Sequence, residues 1–184
     1  MKLNIVQAGD PVLRERGREL TKDEIKGPEV QRLIELMRDT MHEAPGVGLA
    51  APQIGVSLQL AVIEDQQDYL EHQSADELAA LQRSAVPFHV IINPKLTLLG
   101  NESAQFFEGC LSVEGFQAIV ERSLNVRVEC LNERGEDITI NAHGWYARIL
   151  QHEIDHLNGT LYIDRMKTRT FTTSENLLLF GKDV

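Results

Sequence analysis

Two histidines placed four residues apart carry the clearest chemical signal in the chain. His152 and His156 enclose Glu153 in the stretch 151–156, which reads QHEIDH. On an α-helix, residues four apart lie on one face, so both imidazoles can reach the same metal ion. Glu153 follows the first histidine and lies to the side, where a general base can approach water without occupying a coordination position. The spacing predicts a metal-dependent hydrolytic centre.

The surrounding sequence favours a helix for this motif. One stripe of such a helix would carry Trp145, Ile149, His152 and His156. No proline interrupts the stretch, and Gly159 can end the helix. A chance pair of core histidines is the alternative, and it is rare for a five-residue motif. A metal site with two imidazoles still needs a third protein ligand. The residue type of that ligand differs between classes of metal-dependent hydrolase.

Three residues downstream of the motif are candidates for the third ligand. A protease motif of the metzincin kind would have a histidine where Tyr162 stands. Other zinc peptidases complete the site with a carboxylate on a following helix. Asp164 lies in a predicted strand or turn, and Glu175 lies in a tail that we expect to be too short for a second helix. These residues keep a zincin-type metallopeptidase open as an alternative function.

Cys110 is the upstream candidate. A thiolate there would complete a set of two histidines and one cysteine, with one position open for water. Its place after a glycine at the end of a predicted strand favours it, although a buried core thiol is the commoner explanation of a lone cysteine. The other cysteine, Cys130, closes an alternating strand pattern and is predicted to be a core residue. A closed structural zinc site with His143 as fourth ligand is a further alternative, and it would leave Glu153 without a task.

Charge and composition limit the class of protein. The net charge of −10 argues against nucleic acid as the main ligand, because phosphate binding needs clustered cations. No apolar run approaches about 18 residues, so no membrane span is predicted. The first residues lack the apolar core of a signal peptide, which predicts a cytoplasmic protein, or an organelle-matrix protein whose leader was removed. A length of 184 residues suits a single domain.

The elements around the motif predict an α+β fold, with antiparallel sheets packed around the metal-binding helix of the C-terminal half in a single domain, 1–184. A helix should begin at Pro28 and run to about His42, and the small-residue loop 44–55 should leave its backbone open to close approach. An acidic, solvated surface insertion is predicted at about 65–86, and a short tail at 172–184. Strands are predicted at 58–64, 88–92, 96–99, 103–107, 118–131 and 137–142, the last two as a hairpin.

Three short stretches occur in order along the chain: GVGLAAPQ at 46–53, EGCLS at 108–112 and QHEIDH at 151–156. Together they resemble the three signature motifs of the peptide deformylases, and the resemblance covers most of the chain. The stretches 113–116, 144–149 and 169–172 resemble the organelle-type branch of that family. The resemblance implies a metal-dependent hydrolase that removes the N-formyl group from the N-terminal methionine of newly made polypeptides and releases formate.

The resemblance also implies a role for each site residue. Cys110, His152 and His156 would hold one divalent metal ion, Fe²⁺ in the cell, with Zn²⁺ and Ni²⁺ as alternatives. Glu153 would act first as base and then as acid.

The remaining implied residues bind the substrate or its transition state. The side-chain amide of Gln53 and the backbone N–H of Leu111 would stabilise the oxyanion. The peptide would lie extended along bare backbone, with its methionine side chain in an apolar pocket. The implied contacts are Val47, Gly48, Gly109, Trp145 and Ile149. Glu108 and Arg122 match a family ion pair that supports the cysteine segment.

Partners follow from the same resemblance. N-formylmethionyl nascent peptides are the implied substrates, with transient contact to the ribosome, no direct binding of nucleic acid or membrane, and a monomer or homodimer as the assembly.

Two features depart from the family pattern. Gln117 stands where many bacterial relatives carry an arginine near the outer end of the substrate channel. The tail lacks the basic C-terminal helix by which some relatives dock on the ribosome, which argues against direct docking through the tail.

Overall fold

The computed structural model describes residues 3–181 and confirms the predicted α+β class with antiparallel sheets. The helices are α1 (Lys22–Lys26), α2 (Pro28–Glu43), α3 (Gln67–Leu70), α4 (Ala75–Leu81), α5 (Gly144–Leu157) and α6 (Ser174–Phe180). The strands are β1 (Gly48–Ala50), β2 (Leu60–Asp65), β3 (Val86–Leu98), β4 (Ser103–Cys110), β5 (Val113–Ser123), β6 (Asn125–Leu131), β7 (Asp137–His143) and β8 (Thr172–Thr173). The predicted helices at 28–42 and around the histidine motif are α2 and α5.

Two sheets flank helix α5. One has the strand order β1-β2-β3-β6-β7 and the other has the order β4-β5-β8, and all neighbouring strands are antiparallel. Strands β1 and β4 each have a single neighbour, so each leaves one edge of its sheet unpaired within residues 3–181.

The five-stranded sheet is covered on both faces, and strand β2 shows why. Successive side chains of a strand point to opposite faces. Leu60 and Val62 pack in one core with Ile34, Met37 and Met41 of α2. Ala61 and Ile63 pack in the other core with Ala147, Leu150 and Ile154 of α5. All four β2 side chains have no exposed surface. Helix α5 is therefore fixed to the sheet by its apolar face, which leaves the face with the histidines free for chemistry.

Strand β3 corrects one prediction. Instead of two short strands at 88–92 and 96–99, the chain forms one strand of 13 residues with a register shift between Ile92 and Lys95. Asn93 adopts a positive φ of 50° at this bulge. Its side chain accepts from the N–H of Leu20 at 3.0 Å and donates to the C=O of Leu20 at 2.7 Å. The Asn-Pro pair therefore bends the strand without ending it, because the asparagine amide bonds to a distant segment.

The predicted strand 118–131 is also wrong as a single element. It is divided between β5 and β6, which belong to different sheets, and the change occurs at Leu124. The N–H of Leu124 donates to the C=O of Glu102 at 2.9 Å, so the crossing point is held by the turn before β4. The predicted hairpin exists, but it joins only β6 to β7.

The insertion and the tail contain more structure than the sequence predicted. The sequence allows a helical turn at Ala75–Leu81, which is α4, and Gln67–Leu70 form the further short helix α3. Asp65, expected to be solvated, is fully buried and forms two 2.8 Å hydrogen bonds with Arg83. In the tail, β8 pairs with β5 and leads into α6, a helix that we did not expect there. Residues 182–184 lie outside the described part.

No helix within residues 3–181 combines the length and the apolar character needed to cross a membrane.

Gly144, the first residue of α5, allows the insertion to pack against that helix. Its φ is +60°, and a Cβ there would lie 2.5 Å from Gln82 Cβ and 2.6 Å from the Gln82 carbonyl oxygen. We expect Gly144→Ala to lower the free energy of unfolding by roughly 3 kcal/mol, because left-handed strain and a backbone clash add. Urea denaturation measures this loss.

The matched control is Gly100→Ala. Gly100 has a φ of +70° but nothing within 4 Å of an added Cβ. It should cost about 1 kcal/mol, the strain alone. Equal losses for the two variants would show that the contact with Gln82 is unimportant.

Candidate active site and metal centre

The two sheets and α5 bring one cysteine and two histidines together. Cys110 ends β4, and His152 and His156 lie one turn apart on α5. The Sγ of Cys110 is 3.3 Å from Nε2 of His156, which is 3.2 Å from Nε2 of His152. All three donor atoms lie within 4.8 Å of one another. One sulfur and two imidazole nitrogens that converge in this way fit a divalent transition metal and leave room for a further, non-protein ligand.

The cysteine sulfur is surrounded by hydrogen-bond donors. The N–H of Ser112 donates to Cys110 Sγ at 3.3 Å, and Gln53 Nε2 approaches the same sulfur at 3.6 Å. The Gln53 side chain is held at its other end, where Oε1 accepts from the N–H of Ala50 at 2.9 Å. These contacts place two N–H donors at the sulfur and aim the glutamine amide at the centre.

Glu153 lies beside the ligands and is almost completely buried. Its Oε2 has no hydrogen-bond partner among the described residues. Burial raises the pKa of Glu153 to about 7. Gly48 of β1 makes the space for it, because a Cβ at position 48 would lie only 2.2 Å from Glu153 Oε1. A buried carboxyl group with a pKa near neutrality can accept and return a proton at physiological pH.

Glu108 holds the first histidine in place. Its carboxylate is 3.1 Å from Nδ1 of His152, so the Nε2 of that ring faces the other ligands. Arg122 donates to both Glu108 oxygens at 2.9 and 3.0 Å, and Arg148 donates to one of them at 2.7 Å. Burial by itself would raise the pKa of Glu108, but the hydrogen bonds from His152 and Arg122 hold it far below its usual range.

The charge network continues beyond Glu108. Arg122 also donates to Asp155 at 2.5 Å, and Asp155 accepts from Arg165 at 2.6 and 2.7 Å. Glu108, Arg122 and Asp155 are all nearly buried. The predicted Glu108–Arg122 ion pair is therefore the centre of a larger network that links β4, β5 and α5.

A cleft of about 1250 Å³ opens in front of Glu153 and His152. It lies between the free edges of β1 and β4. Its walls contain every substrate-binding residue implied by the family resemblance, and also both residues that the resemblance implies for the oxyanion. These are Val47, Gly48, Gly109, Trp145 and Ile149, and Gln53 and Leu111. A groove with bare backbone on two edges can accept an extended chain.

The downstream candidates for a third ligand do not join the cluster. The hydroxyl of Tyr162 donates to the C=O of Phe116 at 3.1 Å. Asp164 is paired with Arg14 and accepts from the N–H of Leu161. Glu175 is exposed on α6. His143, the fourth ligand in the alternative of a closed zinc site, is exposed at the end of β7.

Arg148 is a site residue that the sequence did not predict. Its guanidinium group is buried, lines the cleft and donates to Glu108 and to the carbonyls of Val120 and Ala104. A signal existed, because Arg148 precedes His152 by four residues and so lies on the histidine face of α5. A charged residue on that face could have been predicted to contact the site.

The family model for polypeptide deformylases matches residues 2–171. The chain belongs to this family. Among its relatives, peptide deformylase 1A (chloroplastic) of Solanum lycopersicum is 53% identical, over 95% of this chain and 63% of the relative. Peptide deformylase 3 of Streptomyces avermitilis is 48% identical, over 96% of this chain and 77% of the relative. This deformylase-family chain thus spans less than two thirds of the length of the tomato protein.

A solved structure agrees with this assignment. The Met-Ala-Ser-bound class I type b peptide deformylase of Acinetobacter baumannii is similar with a TM-score of 0.79 and 30% identity, over 90% of this chain and 99% of that one. The resemblance to peptide deformylases inferred from three motifs is confirmed.

The buried charge network predicts a large effect for one of its members. Arg122→Leu should lower the free energy of unfolding by roughly 3–5 kcal/mol, because Glu108 and Asp155 would each lose a buried partner. Urea denaturation at a fixed metal concentration measures the change, since a bound metal stabilises the folded state.

Arg134→Leu is the control for this prediction. Arg134 pairs with Glu133 and Glu136 but its side chain is 66% exposed. Exposed pairs contribute about 1 kcal/mol or less. Similar losses for Arg122→Leu and Arg134→Leu would contradict the importance of the buried network.

Proposed function

We propose that this chain is a peptide deformylase, a metal-dependent hydrolase that removes the formyl group from the N-terminal methionine of newly made polypeptides and releases formate. One observation carries the proposal. The donor atoms of Cys110, His152 and His156 converge beside the buried carboxylate of Glu153, at a cleft lined by bare backbone. The metallopeptidase alternative has no such support, because Asp164 is paired with Arg14.

Cys110, His152 and His156 would hold the metal ion. When bound, a divalent ion acts as a Lewis acid and makes water a nucleophile near neutral pH. The sulfur and imidazole donors suit Fe²⁺, which we propose for the cell, and also Zn²⁺ and Ni²⁺.

The protein groups position the substrate and move its protons. The formylated peptide lies extended between the edges of β1 and β4, where Gly48 and Gly109 allow close approach of its backbone. Glu153 accepts a proton from the attacking water and delivers it to the amine nitrogen as the bond between the formyl carbon and nitrogen breaks. The products are formate and a peptide with a free amino group.

Charge on the formyl oxygen needs donors that are fixed in advance. The amide of Gln53, held by the N–H of Ala50, and the backbone N–H of Leu111 are the donors that we propose. The methionine side chain enters the part of the cleft lined by Val47, Trp145 and Ile149.

The proposed partners follow from the proposed substrate. Nascent N-formylmethionyl chains are the substrates, so contact with the ribosome is transient. Helix α6 contains no Lys or Arg, which gives no support for docking on ribosomal RNA through that helix. The compartment is the bacterial cytoplasm or an organelle matrix, because peptide deformylases similar to this chain come from Streptomyces and from plant chloroplasts. The assembly is a monomer or a homodimer.

Metal content and activity should separate the roles of the ligands and the base. Wild-type protein made anaerobically with Fe²⁺ should release formate from formyl-Met-Ala-Ser. Cys110→Ala should lose both metal and activity. Glu153→Ala should keep its metal and lose about 10²–10⁴-fold in kcat/KM, the usual contribution of a general acid–base group. Metal analysis and a formate assay make the comparison.

Two outcomes would refute these assignments. Full metal content in Cys110→Ala would show that the ligand set is wrong. Cleavage inside unformylated peptides, without release of formate, would favour the metallopeptidase.

Gly48→Ala tests the space that β1 leaves for the base. A Cβ would lie 2.2 Å from Glu153 Oε1, so the carboxylate would have to move. We expect a loss of about 10²-fold in kcat/KM with unchanged metal content, since a displacement of about 1 Å can cost that much.

The double variant Gly48→Ala/Glu153→Ala is the control. If Gly48 acts through Glu153, adding Gly48→Ala to Glu153→Ala should change little. Losses that simply multiply would indicate a separate effect on peptide binding.

A further inference from the structure

Trp145 forms part of the cleft wall and is the only tryptophan of the chain. Two guanidinium groups lie over its ring, with the Cζ of Arg83 at 5.5 Å and that of Arg148 at 5.7 Å from the ring centroid. The ring of Phe106 meets it at an angle of 64° with centroids 6.2 Å apart. Cations over an indole face are attracted by its negative charge density. The wall of the cleft is therefore held by contacts from several elements.

Arg148 already belongs to the charge network of the site, but Arg83 comes from the insertion between β2 and β3. Nothing in the proposed reaction uses this insertion. Arg83 is held firmly, because its Nε and Nη2 each donate to an oxygen of Asp65 at 2.8 Å, and its Nη1 donates to Gln73 at 3.2 Å. Asp65 is fully buried and the Arg83 side chain is only 11% exposed. A bidentate pair of this kind fixes the plane of the guanidinium group.

The backbone of Trp145 is held by the same part of the insertion. Its N–H donates to the C=O of Gln82 at 3.4 Å. Gln82 ends α4 in the left-handed conformation, with φ at 49°, and packs against Gly144. Residues 82 and 83 thus contact both the main chain and the ring of Trp145.

The two arginines can approach one ring because each pairs with a buried carboxylate. Arg83 pairs with Asp65, and Arg148 pairs with Glu108, which also accepts from Arg122. The contact of Arg148 joins the Trp145 wall to Glu108, which holds His152. The contact of Arg83 joins the same wall to the insertion.

We propose that Arg83 is a positioning residue that fixes Trp145 as a wall of the pocket for the first substrate side chain, so that the insertion sets the selectivity for that side chain. This inference rests on the proposed deformylase function. A wall that cannot move excludes side chains of the wrong shape, whereas a mobile ring admits them at little cost. Hydrophobic pockets discriminate side chains by about 10–200-fold, which bounds the effect.

Arg83→Lys is the first test. Lysine keeps a positive charge for Asp65 but has no planar group to lie over the ring. We expect the ratio of kcat/KM for formyl-Met-Ala-Ser to that for formyl-Phe-Ala-Ser to fall about tenfold, a change within the range of pocket discrimination. The change should arise in KM, because Arg83 does not contact the reacting atoms.

Fluorescence of the single tryptophan gives a readout that does not depend on turnover. In Arg83→Lys, the anisotropy of Trp145 should fall and its emission should shift to the red, because the ring becomes more mobile and more exposed.

A second variant guards against loss of folding. Arg83→Met alone would leave the buried Asp65 carboxylate unpaired, so Asp65→Leu/Arg83→Met removes both charges together. It should lose selectivity and anisotropy like Arg83→Lys. Arg38→Met is the matched control, since Arg38 lies over the ring of Phe88 at 5.7 Å and pairs with Asp39. It should leave selectivity, KM and fluorescence unchanged.

The inference is overturned if both Arg83 variants keep the wild-type selectivity and the wild-type anisotropy. Failure of the proposed function looks different. A wild-type protein that releases no formate would refute the deformylase assignment alone, and the tryptophan signal of the Arg83 variants would still decide whether Arg83 holds the ring.

Discussion

The arrangement of this site depends on the ion pairs and hydrogen bonds that compensate the buried carboxylate of Glu108. Removing a charge from water is costly unless partners and hydrogen bonds replace the solvent. Here Arg122, Arg148 and His152 replace it, and they come from β5 and α5. Because Glu108 lies on β4 and two of its partners lie on α5, compensation of its charge holds the three-stranded sheet against that helix. The same contact orients the ring of His152 and sets the distance at which Cys110, two residues after Glu108, meets the histidines.

Helix α5 concentrates several tasks on one face because of its period. Trp145, Arg148, His152 and His156 are spaced by three or four residues, so they form one stripe. Along that stripe lie a pocket wall, a buried cation and two candidate metal ligands. The opposite side packs on the five-stranded sheet. A rigid helix buried on one side can hold all four side chains in fixed relation.

Local patterns were sufficient to predict much of this protein. The histidine motif, the helix that begins at Pro28 and the antiparallel α+β class depend on neighbours in the sequence or on simple periodicity. The choice of Cys110 over Asp164 did not follow from spacing, because it depends on how a strand far upstream crosses the helix. The place of Cys110 after a glycine at the end of a predicted strand favoured it, and the resemblance to a family gave it most of its weight.

The wrong predictions have a common cause, which is pairing between distant segments. Asn93 bends β3 without ending it because its amide meets Leu20. Asp65 is fully buried and Arg83 is mostly shielded from solvent because they pair with each other, although the acidic composition around them indicated a solvated loop. The change of sheet at Leu124 is hidden in a continuous alternation of apolar residues. Secondary-structure propensity is a property of one segment, whereas each of these features depends on contact between two distant segments.

The burial of β2 has a consequence for how different regions open. Its amides lie beneath helices on both sides, so their hydrogen exchange with solvent requires disruption of the whole domain, whereas α4 has no buried residue and can detach by a local fluctuation. Helix α4 is therefore expected to be less protected than β2 and the histidine helix, whereas Arg83 beside the indole stays anchored to the buried carboxylate of Asp65. Transient loosening of α4 can thus occur on a faster timescale than any rearrangement of the sulfur and the two imidazoles.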